Sequence, residues 1–213
     1  MPALTPARLK LPALLITVLA IACLALAAHA AVTGGFWPVD HWVDDHLDTD
    51  RGHPLQSVIA GVSVLGSGEA TFAALAVLAL VSIRAGRLRR PAGAVALALG
   101  AGMLVELTLK HTLHHPGPPS RNSDHVLSLI HLDTPYSFPS GHTIRILLVA
   151  VVVAAMAQGR TRLAAVVIAI PVAAAVLFSR LALGEHWFSD VVGGVLVALA
   201  LAPALWLAAA RAS

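Results

Sequence analysis

The chain of 213 residues contains few charged residues, few aromatic residues and one cysteine. Charged residues make up 12% of it, whereas a soluble domain carries about 25%, so the composition excludes a soluble globular protein. A single cysteine, Cys23, permits neither an internal disulfide nor a cysteine-based zinc site. Aromatic residues are only 5% and the basic residues form no stripe, so we expect no nucleic-acid partner.

Apolar residues dominate what remains. Hydrophobic residues make up 58% of the chain, and the mean hydropathy is +0.82. A compact core of this chain length cannot bury so much apolar surface, whereas a membrane-spanning helix needs roughly 20 apolar residues. We therefore predict an all-α integral membrane protein, one domain over residues 1–213, with a bundle of six transmembrane helices. The predicted spans are residues 11–28, 69–83, 91–110, 141–158, 163–181 and 186–207.

The first apolar run has two interpretations. Arg8 and Lys10 precede it and Ala28-His29-Ala30 fits a cleavage pattern, as in a cleaved signal peptide. The run is longer than the roughly 7–15 residues of a signal-peptide core, which favours an uncleaved span. A short amphipathic or re-entrant helix is expected at residues 55–65, before the break at Gly66-Ser67-Gly68.

The distribution of basic residues predicts the orientation of the bundle. The positive-inside rule assigns one side, together with both termini, to the cytoplasm. That side carries the basic residues at positions 8–10, 84–90, 160–162 and 211. The opposite, periplasmic side then carries the loops at residues 33–54, 111–140 and 182–185. We expect the acidic residues of the first loop, between positions 40 and 50, to be solvated.

Some basic residues fall on the periplasmic side against this rule, which calls for a functional explanation. They are Arg51, Lys110, Arg121, Arg145 and Arg180. Lys110 ends the third predicted span and Arg180 lies near the end of the fifth. Two such cations can bind one phosphate, because a guanidinium matches phosphate oxygens with two parallel hydrogen bonds.

Two further clusters stand at the same ends of neighbouring spans. Ser140 is a good helix N-cap, and Gly141 and His142 follow in a first turn whose backbone N–H groups bind anions. His186 and Asp190 are four residues apart, so the carboxylate can hold one imidazole nitrogen and leave the other nucleophilic. His142, from another helix, can protonate a leaving oxygen. These parts suit phosphoryl transfer.

The three clusters resemble the signature of the phosphatidic acid phosphatase type 2 superfamily, K-x6-R-P, P-S-G-H and S-R-x5-H-x3-D. That superfamily includes lipid phosphate phosphatases, undecaprenyl pyrophosphate phosphatases and vanadium haloperoxidases. Its second and third parts are complete in this chain, over a motif region of residues 110–190, whereas the first lacks its arginine. The matching residues are Lys110, Pro118, Pro139–His142, Ser179, Arg180, His186 and Asp190, and Gly117 stands in place of the arginine.

The resemblance implies a role for each matching residue. His186 would attack phosphorus and form a phosphohistidine, Asp190 would orient His186, and His142 would protonate the leaving group. The phosphate would be held by Lys110, Ser140, Gly141 and Arg180. The resemblance implies no metal and no cofactor.

Gly117 leaves the phosphate site short of one cation. Arg145, three residues after His142, or Arg121 in the long loop can take over part of the missing arginine's role. The alternative for Arg145 is that it pairs with Glu106, as charges buried in membranes usually pair. Glu106 also lies one helical turn before Lys110, so we expect an ion pair that steadies the lysine.

Two other features have simpler interpretations. His111, His114 and His115 have a helical spacing that can suit zinc, but neither a matching carboxylate nor a fourth ligand is evident, so we expect solvated histidines. Gly193-Gly194 in the sixth span is expected to permit close helix packing.

The predicted function is hydrolysis of a phosphomonoester or diphosphate on a lipid at the outer face of a bacterial plasma membrane. Undecaprenyl pyrophosphate, phosphatidylglycerophosphate and phosphatidic acid all fit as substrates, and the partners are the lipid and the bilayer, with the oligomeric state left open. Other functions remain open. They are a lipid A-modifying phosphotransferase, a non-catalytic lipid-binding or transport protein, and a histidine-rich metal transporter.

Overall fold

The computed structural model describes residues 6–47, 54–84, 91–119 and 134–210. Its regular structure within these ranges is entirely helical, which confirms the predicted all-α class. The α-helices in chain order are α1 Pro6–Val32, α2 Trp37–Leu47, α3 Gln56–Ser63, α4 Gly68–Arg84, α5 Pro91–Thr112, α6 Gly141–Met156, α7 Gly159–Ala182 and α8 Phe188–Ala210. A 3-10 turn, Val64–Gly66, connects α3 to the start of α4.

Several helices have the length and composition of membrane spans. In the described part of the chain these are Lys10–Val32, Gly159–Ala182 and Phe188–Ala208. A fourth span forms if Gln56–Gly66 and Gly68–Val77, which meet at an angle of 55°, are taken together. The chain is therefore a multi-pass membrane protein. The six-span count and the cytoplasmic position of both termini stay predictions.

The outer faces of α1 and α7 are apolar. Leu19 on α1 is 66% exposed, and Leu163 and Ile170 on α7 are 67% and 65% exposed. Contiguous apolar surface of this kind is unfavourable in water, whereas lipid tails solvate it at no cost. These two helices therefore present their apolar faces to the bilayer.

The interior of the bundle is built around α8. Ile144, Leu148 and Val152 on α6 are buried against Val197 and Leu205 on α8. The start of α6 lies close to the second turn of α8, since a Cβ at Gly194 would lie 2.8 Å from the carbonyl oxygen of Ser140. A side chain at this position would push the two helices apart. The close packing expected of Gly193-Gly194 is thus present.

Asp40, in the acidic segment that was predicted to be a solvated loop, is buried instead. Residues Trp37–Leu47 form α2, and Asp40 on this helix is only 1% exposed. The Asp40 carboxylate accepts hydrogen bonds from the backbone N–H and the hydroxyl of Ser189, at 2.8 and 2.9 Å. The prediction is wrong here because a buried partner on α8 satisfies the carboxylate. Residues 48–53 lie outside the described residues.

Four helix ends meet on one side of the bundle and carry the motif residues. These are the carboxyl ends of α5 and α7 and the amino ends of α6 and α8. The connection between α7 and α8 spans only residues 183–187, so those two ends are adjacent. The fold thus brings three distant stretches of sequence to a single site.

Candidate active site

His186 and Asp190 form a buried pair at the start of α8. Nδ1 of His186 lies 3.0 Å from Oδ2 of Asp190, and the two residues are 7% and 0% exposed. The same carboxylate oxygen accepts the backbone N–H of Trp187 at 3.0 Å, and Ser137 donates to Oδ1 at 3.2 Å. A carboxylate in this position favours the tautomer that carries the imidazole hydrogen on Nδ1.

The start of α6 is attached directly to this pair. The backbone N–H of Ser140 donates to the carbonyl oxygen of Asp190 at 2.9 Å. Ser140 occupies the N-cap position with an extended backbone, but its side chain makes no capping hydrogen bond. The expected side-chain cap is therefore absent. The Ser140 hydroxyl is buried and has no hydrogen-bond partner among the residues described, so it can donate to a ligand.

Three cations from three helices surround His142. Lys110 on α5, Arg145 on α6 and Arg180 on α7 all lie close enough to act on its imidazole electrostatically. Lys110 and Arg180 are only 8% and 4% exposed, so their charges are weakly screened by solvent. Lys110 also acts on Asp190. The structure thus brings the predicted cations, His142 and the His186–Asp190 pair into one neighbourhood.

Two carboxylates pair with these cations. Glu106 on α5 lies 3.5 Å from Nζ of Lys110 and 2.9 Å from Nη1 of Arg145, so both ion pairs expected of it are present. Its carboxylate rests against the backbone of Gly141, where a Cβ would overlap it, and glycine is therefore required there. Glu185 pairs with Arg180. An incoming anion would have to share these cations with the carboxylates.

Two contacts of Arg180 were not anticipated from the sequence. Its guanidinium donates to the hydroxyl of Ser63 on α3, which is 6% exposed, and pairs with the buried Glu185. The pairing of Glu185 with Arg180 could have been predicted, because Glu185 lies beside His186 in the short connection after Arg180. Nothing in the sequence marked Ser63, because its partner is 117 residues away.

A second polar layer lies behind the pair. His115, expected to be solvated, is 2% exposed, and its Nε2 lies 3.1 Å from the hydroxyl of Ser189. Burial lowers the pKa of His115, and the charge of Asp40 opposes that change. Burial also raises the pKa of Asp40, against the effect of its hydrogen bonds to Ser189. The prediction for His115 is wrong because the segment after α5 folds inward onto α8.

Arg121, Gly117, His111 and His114 are the remaining candidates from the sequence. Arg121 is outside the described residues, and Gly117 brings no side chain to the site. His111 bonds to the carbonyl of Leu107, while His114 packs on Tyr136 with 4.8 Å between ring centroids. Within the described ranges, no group of three or more histidine, cysteine, aspartate or glutamate residues is arranged to hold a metal ion.

Comparison with known proteins gives one family and one fold. The family model described as the PAP2 superfamily matches residues 91–213. The fold matches the crystal structure of the first transmembrane PAP2-type phosphatidylglycerolphosphate phosphatase from Bacillus subtilis, with a TM-score of 0.75. The sequences are 22% identical over 87% of this chain and 91% of that one. No curated protein matches the chain.

The unpartnered hydroxyl of Ser140 predicts an unusual result for a serine at a helix start. Ser140→Ala should change the free energy of unfolding by less than about 0.5 kcal/mol, because no capping bond is lost. It should weaken the affinity for inorganic phosphate about tenfold, since a donor to the anion is lost. Calorimetric titration and thermal unfolding in detergent measure the two quantities.

Ser67→Ala is the matched control, because the Ser67 hydroxyl accepts the backbone N–H of Ala70 at 3.1 Å and does cap a helix, α4. It should cost about 1 kcal/mol of stability and leave phosphate affinity unchanged. A Ser140→Ala protein that binds phosphate as tightly as the wild type would contradict the assignment.

Proposed function

The chain belongs to the PAP2 superfamily, and from that premise we propose that it is a membrane lipid phosphatase acting through a phosphohistidine intermediate. The observation that carries the proposal is the buried His186–Asp190 pair, at 3.0 Å, in a site with three cations. An oriented imidazole beside an anion clamp is what attack on a phosphate ester requires.

The proposed reaction has two steps. Nε2 of His186 forms a bond to phosphorus as the bond from phosphorus to the lipid oxygen breaks, and His142 gives its proton to that oxygen. Water then attacks the phosphohistidine and returns a proton to His142, while the phosphorus–nitrogen bond breaks and His186 recovers its lone pair. Asp190 holds the Nδ1 hydrogen throughout and stabilises the charge on the ring.

Lys110, Arg180, the hydroxyl of Ser140 and the backbone N–H of Gly141 are proposed to bind the phosphate. Lys110 and Arg180 are buried, and the hydroxyl of Ser140 has no partner within the described ranges. Donors that are fixed before the reaction stabilise transition-state charge at no reorganisation cost. Gly141 begins α6, where the helix dipole also favours an anion.

The membrane setting supports a lipid substrate. The site lies where helix ends meet, so a headgroup can reach His186 while its acyl or prenyl tail stays in the bilayer. Phosphatidylglycerophosphate, undecaprenyl pyrophosphate and phosphatidic acid are the proposed class, and the name of the Bacillus subtilis protein of similar fold supports the first. We also propose that the site faces the outer side of a bacterial plasma membrane, and the positive-inside rule supports this orientation.

A lipid panel tests the proposed function. Purified protein should release phosphate from at least one of the three lipid phosphates, and His186→Ala should lower kcat/KM by at least about 10⁴-fold, because no other group replaces the nucleophile. Phosphate release by wild type and variant would be compared at equal concentrations. Equal release by the two proteins would contradict the mechanism, and the absence of release from every lipid would contradict the function.

A double variant tests the role of Arg145, which pairs with Glu106 and lies close to His142. If Arg145 helps to bind phosphate, Arg145→Ala should weaken inhibition by inorganic phosphate about tenfold, and adding Glu106→Gln should not restore it. If Arg145 only neutralises Glu106, at 2.9 Å, the second substitution should restore inhibition in full. We expect the second result, because Arg145 pairs with Glu106 and its Nε also donates to the carbonyl oxygen of Gly66 at 3.1 Å.

Arg162→Ala is the matched control for Arg145→Ala, because Arg162 bonds to the carbonyls of Ala154 and Ala157 at the opposite end of α6. It should leave the inhibition constant unchanged. Restoration in the double variant, or an unchanged constant in Arg145→Ala, would exclude Arg145 from the phosphate site.

A further inference from the structure

Three buried polar side chains, joined by hydrogen-bonding contacts, lie behind Asp190. Asp40, Ser189 and His115 are 1%, 0% and 2% exposed and come from α2, α8 and the segment after α5. The hydroxyl of Ser189 lies 2.9 Å from Oδ2 of Asp40 and 3.1 Å from Nε2 of His115. Nδ1 of His115 lies 3.1 Å from the carbonyl oxygen of Ala31.

These three contacts determine how many hydrogens the side chains of Asp40, Ser189 and His115 must carry between them. Each needs one hydrogen, and the carbonyl of Ala31 can only accept, so Nδ1 of His115 carries one. An ionised Asp40, a neutral His115 and the Ser189 hydroxyl supply two hydrogens in all, so one contact would set two lone pairs face to face. Satisfying all three contacts takes a third hydrogen, shared between Asp40 and His115.

The shared proton makes Asp40 and His115 neutral in sum. Either Asp40 is ionised beside a charged His115, or both are uncharged, and the Ser189 hydroxyl links them in each form. Without this proton the pair carries one negative charge in a buried site, where charge effects are strong.

These three side chains lie next to the His186–Asp190 pair. Nε2 of His115 lies 3.6 Å from Oδ1 of Asp190. Ser137 connects them again, since its hydroxyl lies 3.1 Å from the carbonyl oxygen of His115 and 3.2 Å from Oδ1 of Asp190. The charge behind Asp190 therefore acts on the carboxylate that orients His186.

The titratable and charged groups around these three side chains and Asp190 come from three helices. Asp190 and His186 belong to α8, Lys110 to α5 and His41 to α2. Lys110 acts on Asp190 from the phosphate side, whereas Asp40 and His115 act from behind.

We infer that Asp40, Ser189 and His115 form a proton-holding triad that keeps the charge behind Asp190 neutral, and that Asp40 and His115 are positioning residues for His186. This inference rests on the proposed function. Through the triad, α2 contacts the start of α8, where the proposed reaction takes place. The helix α2 itself carries none of the motif residues. Loss of His115 with Asp40 retained would leave a negative charge near Asp190, and His186 would then keep its proton to higher pH.

The pH dependence of kcat/KM tests the triad. His115→Asn should move the acid limb of the profile upward by roughly half a pH unit or more, because the imidazole that shares the proton is lost and Asp40 is then ionised without it. Asp40→Asn should leave the acid limb near its wild-type position. The introduced amide is uncharged and donates the hydrogen bond that a protonated Asp40 would donate. The double variant Asp40→Asn/His115→Asn should bring the limb back, although its rate is lower.

Asp45→Asn, which removes an exposed carboxylate on the same helix, is the matched control and should leave the profile unchanged. A purely structural role would lower the rate in His115→Asn without moving the acid limb, and the double variant would be slower still. An unmoved limb in His115→Asn, or an equal displacement in the double variant, would overturn the inference.

A second measurement is independent of substrate. Protein labelled with 15N-histidine should show His115 with a hydrogen on Nδ1, its signal being identified by its loss in His115→Asn. A neutral ring with hydrogen only on Nε2 would overturn the proton count. If the wild type released no phosphate from any lipid, the proposed function would fail, whereas this spectrum would still decide the triad.

Discussion

The site depends on the complete burial of one carboxylate, that of Asp190. A buried charge without partners costs several kcal/mol, so the surrounding structure has to supply donors. Here the donors are Nδ1 of His186, the backbone N–H of Trp187 and the hydroxyl of Ser137. The backbone of Asp190 also accepts the N–H of Ser140. One residue thus orients the imidazole and joins the second motif to the third.

Around this carboxylate the charges nearly balance. Lys110 and Arg145 share Glu106, and Arg180 pairs with Glu185. Pairing lowers the cost of burying the cations and keeps each one in position. A phosphate ester bound at the proposed site would share these cations with the carboxylates, so its affinity would depend on how far the existing ion pairs yield. The hydroxyl of Ser140 meets no such competition from the described residues, so it would be available to an anion directly.

The long apolar helices could be predicted from the sequence because the length of an apolar run determines them, whereas α2, which is short and acidic, could not. The pairing of Glu106 with Lys110 follows from one helical turn, and the contact of Glu106 with Arg145 follows from the need to pair buried charge. The burial of Asp40 and His115 could not be predicted, since each depends on a side chain of α8 that is distant in sequence. Polar residues whose partners come from tertiary packing look like solvated residues in a sequence.

The most direct test of the account is to locate the phosphate during turnover. Protein mixed with a lipid phosphate that it hydrolyses, quenched at alkaline pH and digested, would be examined by mass spectrometry for phosphorylated histidine. The account predicts phosphate on His186 alone, and none in protein carrying His186→Ala. Phosphate on His142 instead, or hydrolysis with no phosphorylated residue under conditions that preserve phosphohistidine, would contradict the role assigned to the pair formed with Asp190.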